Sequence, residues 1–253
     1  MTEPALAAET EGSGRRLVLV HGFTQTSRCW GSPAADLAAD HEVVRVDAPG
    51  HGRSAAVRAD LSTTADLLTP LGPATFVGYS MGGRMCLELA LRHPGAVEAL
   101  VLISATAGID DADERLARRA SDETIAQGLE ADGVDAFLDR WLSLPLFAGL
   151  PRAAHHIDER RTNTPAGLAS SLRLAGTGTQ APSWDRLHML AMPVLVVAGE
   201  NDTKFTALAR RLADAIGTNA VLAVIPGAGH TTHLEAPDAV LAVLRPWLAA
   251  HAV

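Results

Sequence analysis

The stretch at residues 75–84, TFVGYSMGGR, restricts the fold more than any other part of the chain. The β-favouring Thr75, Phe76 and Val77 run straight into Gly78, Tyr79, Ser80, Met81 and Gly82, and a helical pattern follows over 84–92. Small residues two places on either side of a serine allow a very tight turn from strand into helix. The serine then stands at the tip of that turn, its hydroxyl exposed above the helix N-terminus. Ser80 is therefore the candidate catalytic residue, and the rest of the chain has to supply the strand, the helix and a base to activate it.

Short apolar runs at 17–20, 42–46, 99–103, 192–198 and 221–225 read as further strands, most of them apolar on both faces. Helical patterns lie at 31–39, 61–71, 206–216 and 237–250, several of them stopped by Pro and Gly. Strands that alternate with helices in this way predict a mostly parallel sheet flanked by helices on both sides. Residues 105–186 break the rhythm. They are charged and show no strand pattern, but are amphipathic at 113–127 and 134–144 and, less clearly, at 164–174. An insertion after a sheet strand, close to the strand ends where ligands bind, predicts a helical cap over the pocket. The expected organisation is thus a core of 15–104 and 187–253, a cap of 105–186, and a disordered tail over 1–14, which reads MTEPALAAETEGSG.

Composition narrows the partners. A formal net charge of −8 weighs against nucleic acid or an anionic membrane. No apolar run approaches the ~20 residues of a membrane span. Cys29 and Cys86 are the only two cysteines, too few for a disulfide framework, and they suit a reducing cytoplasm. With no Cys/His cluster, neither a metal nor another cofactor is expected. Nothing in the sequence decides between a monomer and a homo-oligomer.

A serine hydroxyl needs a histidine to take its proton, and the histidine needs a carboxylate to fix its tautomer and stabilise its charge. The strand ending Ala198-Gly199-Glu200-Asn201-Asp202 delivers an acid after Ser80, and the loop Pro226-Gly227-Ala228-Gly229-His230 delivers a histidine after that. Asp202 is the expected acid, with Glu200 as its rival, and His230 the expected base, with His233 three residues further on. The order serine, acid, histidine and the placement at strand ends resemble the α/β-hydrolase fold, with a helical cap inserted. Two backbone N–H groups should face the developing oxyanion, that of Met81 at the helix start and that of Phe23 after the first strand.

Four stretches narrow the resemblance further: HGF at 21–23, GYSMGGR at 78–84, ENDTKF at 200–205 and GAGHTTHLEAP at 227–237. HGF and GxSxG are general in the superfamily. The arginine four places after the serine and the D-x-K-F run are more particular, and together they are similar to the 2-succinyl-6-hydroxy-2,4-cyclohexadiene-1-carboxylate synthases of menaquinone synthesis. That resemblance implies proton abstraction by the triad and a 2,5-elimination that expels pyruvate from an enolpyruvyl ether, without an acyl-enzyme. It also implies a small anionic substrate with three carboxylates, bound by Arg84, Arg118 and Arg161, with Arg160 the alternative to Arg161. Trp141 and Tyr79 are implied to lie against it. A carboxylesterase or thioesterase acting through an acyl-enzyme on Ser80 is the competing expectation.

Overall fold

The computed structural model describes residues 5–251. Seven strands form one sheet: β1 (Ala8–Glu11), β2 (Arg15–Val20), β3 (His41–Val46), β4 (Ala74–Tyr79), β5 (Val97–Ile103), β6 (Val194–Gly199) and β7 (Ala220–Ile225). Their order is β1-β3-β2-β4-β5-β6-β7, parallel throughout except for β1, which pairs antiparallel with β3. β4 lies in the middle and all six of its residues are buried, as a strand covered on both faces must be.

Nine α-helices are described: α1 (Ser32–Leu37), α2 (Leu61–Leu68), α3 (Met81–Arg92), α4 (Ala112–Leu142), α5 (Ile157–Arg160), α6 (Pro165–Ala175), α7 (Thr203–Ile216), α8 (Thr232–Glu235) and α9 (Pro237–Ala250). Successive side chains on a strand point to opposite faces, so Val18 and Val20 join one core with α2, α3 and α7. Leu17 and Leu19 join the other, with α1 and α9. Among the described residues no helix is long and apolar enough to cross a membrane.

The insertion between β5 and β6 carries α4, α5 and α6. α4 and α6 share a small core of Ala126, Leu129, Phe137, Leu138, Leu168 and Leu172. The two patterns at 113–127 and 134–144 are one continuous span, broken at Gly133, whose φ of 81° is a left-handed conformation that glycine adopts without strain.

One expectation needs correcting. Residues 1–14 are not a disordered tail throughout: 1–4 lie outside the described residues, but Ala8–Glu11 is a sheet strand. Two acids in four residues make a poor strand in isolation. Here Glu9 accepts from Arg28 at 2.8 Å, and Arg45 lies 3.3 Å from Glu11, so arginines from β3 and the loop after β2 neutralise the added edge.

Candidate active site

The turn from β4 into α3 is as tight as the glycine spacing requires. A Cβ at Gly82 would collide with the Val20 carbonyl oxygen, so only glycine lets α3 start this close to β2. Ser80 itself is held at φ 50° and ψ −107°, a strained conformation for a residue with a side chain, and its N–H donates to the Ile103 carbonyl at 2.8 Å.

Two later loops reach this serine. His230 Nε2 lies 3.2 Å from Ser80 Oγ, and His230 Nδ1 lies 2.7 Å from Asp202 Oδ2. Burial would raise the Asp202 carboxyl, but the hydrogen bonds from His230 and from the Phe205 N–H outweigh it and hold the carboxyl below its ordinary value. Asp202 thus also caps α7. Glu200, the rival acid, accepts from the Gly227 N–H instead, at 3.0 Å. His233, the rival base, is buried against Trp30 and Tyr79 with neither ring nitrogen bonded.

The histidine loop is gripped from both sides. Glu235, on α8, accepts the Gly229 N–H at 2.7 Å and the Thr231 N–H at 2.9 Å, the residues flanking His230. Ser104 donates its hydroxyl to the His230 carbonyl at 2.8 Å, and the Phe205 ring meets the imidazole edge at 4.4 Å.

Around Ser80 a pocket opens between core and insertion. Phe23, Tyr79, Met81, Arg84, Arg118, Trp141, Arg160, Lys204 and His230 all line it. Among the described residues its wall holds four permanent cations and no carboxylate. Arg84 and Arg160 are buried, and among the described residues neither they nor Lys204 has a carboxylate within ion-pair reach. Burial, then the nearby Arg118, pulls the Arg84 guanidinium down to about 10. Arg118 is steadied by Asp122, 2.8 Å away one helical turn on. Arg115 and Arg119, on the same helix, instead donate to backbone carbonyls at Ile109 and Gly178.

Arg161 does not reach the pocket. It is half exposed and pairs with Asp135 at 2.8 Å and Asp158 at 3.4 Å, while Arg160 faces inward and donates to Thr24 Oγ1. Adjacent helical residues point about 100° apart, so only one of the pair can face the site. Gln25, Lys204 and Glu235 were not singled out from the sequence. Lys204 stands in the D-x-K-F run and Glu235 in the GAGHTTHLEAP stretch, whereas Gln25 belongs to none of the four stretches. Among the described residues no group of three or more His, Cys, Asp or Glu side chains could hold a metal ion.

The family of this chain follows from comparison with known proteins. A model of the alpha/beta hydrolase family matches residues 17–243. The chain belongs to that family. Within it, the chain is 33% identical over 237 residues to a 2-succinyl-6-hydroxy-2,4-cyclohexadiene-1-carboxylate synthase of Enterobacter sp., covering 90% of this chain and 89% of that protein. The structure of MenH from S. aureus superposes with a TM-score of 0.89 at 29% identity, covering 100% of both chains. A thermophilic esterase from Thermogutta terrifontis, solved with malate bound, matches with a TM-score of 0.82 at 25% identity over 97% of this chain and 93% of that one. This alpha/beta hydrolase family member is an enzyme, and the synthases are among the relatives it resembles along nearly its whole length.

Proposed function

We propose that this enzyme is a lyase of menaquinone biosynthesis that forms 2-succinyl-6-hydroxy-2,4-cyclohexadiene-1-carboxylate, releasing pyruvate from the 5-enolpyruvyl-3-cyclohexene precursor. One observation carries the reading: Arg84, Arg118, Arg160 and Lys204 line the pocket beside Ser80 with no carboxylate in its wall. Two of them, Arg84 and Arg160, are buried without a carboxylate partner among the described residues, which is unfavourable unless a ligand brings the opposite charge. Guanidinium forks suit carboxylates, and the substrate carries three.

In this reading Ser80, Asp202 and His230 act as a catalytic triad used as a base. His230 Nε2 takes the hydroxyl proton while Asp202 holds Nδ1–H and stabilises the resulting charge. The seryl oxygen removes the ring proton next to the succinyl ketone. The ketone oxygen becomes an enolate facing the N–H groups of Phe23 and Met81. Met81 is the first residue of α3, where an N–H has no acceptor within the helix. As the enolate collapses, the ring double bond shifts, the carbon–oxygen bond to the enolpyruvyl group breaks, and the departing enolate of pyruvate takes up the proton held by His230, which leaves pyruvate and restores the neutral imidazole. No acyl-enzyme forms. The two buried, unpaired cysteines agree with a cytoplasmic site of action.

The test is pyruvate release from the enolpyruvyl precursor, with S80A as control; a rate no faster than the spontaneous elimination would sink the proposal. The esterase neighbour favours a second reading, attack of Ser80 on a small carboxylate-bearing ester. Rapid turnover of nitrophenyl esters, without pyruvate release, would select it.

A further inference from the structure

Gln25 lies in the loop after β2 with 1% of its surface exposed, and it forms part of the wall of the Ser80 pocket. Its side-chain oxygen accepts the Gly22 N–H at 3.0 Å. That bond settles the orientation of the amide: the backbone offers a donor, so Oε1 must face it and Nε2 must point the other way. Nε2 is buried and meets no acceptor among the described residues. Buried amide donors are rarely left unpaired, because they forfeit the bonds they would make to water. One standing in the wall of a pocket is matched to an atom that arrives with a ligand.

Its surroundings indicate what that atom is. The preceding residue, Thr24, accepts from the buried Arg160 guanidinium, which has no carboxylate partner. Trp141 Nε1, also in the pocket lining, is a second buried donor without an acceptor among the described residues, and its ring meets that of Phe23, two residues before Gln25, at 5.4 Å. A cation with neutral donors on the same wall calls for an oxygen anion with several lone pairs. An amide adds a donor there without adding another uncompensated charge beside Arg160.

We propose that Gln25 is a substrate-binding residue that donates from Nε2 to a carboxylate of the substrate on the Arg160 side of the pocket. This rests on reading the pocket as a polycarboxylate site. Gln25 thereby favours substrates carrying a carboxylate at that position over those that end in an ester or an alkyl group.

The decisive variant is Q25E. Its carboxylate still accepts the Gly22 N–H but turns an anionic oxygen toward the ligand, so a purely structural role would leave function intact. Q25M, which removes both bonds, is the companion. Binding of 2-succinylbenzoate, the dehydrated aromatic form of the product, is measured by calorimetry on wild type and both variants, beside KM and kcat for pyruvate release and thermal melting. The expected result is a loss of affinity and a rise in KM of about 10-fold for Q25M and about 100-fold or more for Q25E, with kcat less affected and the melting of Q25E close to wild type. Wild-type affinity and KM in Q25E would overturn the proposal, and would mean that Nε2 serves only a fixed water. Gln25-dependent binding without pyruvate release leaves the residue assigned and removes the reaction. Pyruvate release with unchanged binding in both variants does the reverse.

Discussion

Arg84 has 6% of its surface exposed, and among the described residues its only polar side-chain partner is Gln180, at the long distance of 3.5 Å. Burial, and after it the nearby Arg118, pulls the guanidinium well below its ordinary value, to about 10. At about 1.4 kcal/mol per tenfold change, that fall corresponds to roughly 3 kcal/mol, present only while no anion occupies the pocket. Arg84→Met keeps the aliphatic stem and removes the charge. The variant without ligand should therefore be more stable than wild type by up to about 3 kcal/mol, a rise in melting temperature of up to roughly 6–12 °C for a chain this size. The same change removes charge-assisted hydrogen bonds to substrate worth about 1.5–3 kcal/mol each, so kcat/KM for pyruvate release should fall by about 100-fold or more. Ligand-free thermal melts and a coupled pyruvate assay read the two effects independently. A variant that melts at or below wild type, or that keeps kcat/KM within a few-fold, would refute this role for Arg84. Stability and activity moving in opposite directions is the signature of a cation held in place for a ligand.

Further predictions concern the catalytic centre and its support. S80A and H230A should each lower kcat by several orders of magnitude, and D202N by about 10⁴, because it presents the wrong partner to His230 Nδ1; single-turnover pyruvate release checks all three. E235Q should cut kcat about 10- to 100-fold with little change in KM, since its amide can accept only one of the Gly229 and Thr231 N–H groups and repels the other. An unchanged kcat would show that the grip on the histidine loop is immaterial. Burial holds His21 down to about 4, and His51 and His233 to about 3, so all three stay neutral in the folded chain below pH 6.5 while the unfolded chain takes up protons. Their contribution is complete above about pH 6.5 and drains as the pH falls toward 4, at up to about 1.4 kcal/mol per pH unit for each. Urea midpoints between pH 7.5 and 5 should therefore decline steeply. H233F, which replaces two unbonded ring nitrogens with apolar surface, should flatten the slope by about a third; a slope equal to wild type would contradict this.

The strands, the tight turn at Ser80 and the loops bearing Asp202 and His230 could be read from the sequence because their signals are local. Glycine spacing, apolar runs and chain order need no knowledge of distant contacts. β1 could not be read that way, since its AETE sequence becomes a strand only when Arg28 and Arg45 come alongside from elsewhere in the chain. The choice between Arg160 and Arg161 depended on the phase of a four-residue helix. Its start is set by His156 in the left-handed conformation, at φ 48°, which no periodicity reveals. Arg84 and Arg118 were named from the resemblance, but their convergence on one pocket is a fact of packing. Gln25 is further removed still, because its meaning depends on a backbone N–H three residues away occupying one end of the amide.

The corner between α5 and α6 is sewn to the loop after β2. Arg160 bonds Thr24 Oγ1, and Asn163 donates to the Thr24 carbonyl at 2.8 Å while accepting the Gly52 N–H at 2.8 Å. For protein engineering this means the insertion is not an interchangeable module. A chimera that grafts a relative's helices onto this sheet without its matching 22–26 loop would shift the neighbour of the Phe23 amide, and would forfeit turnover even where every grafted helix folded as before.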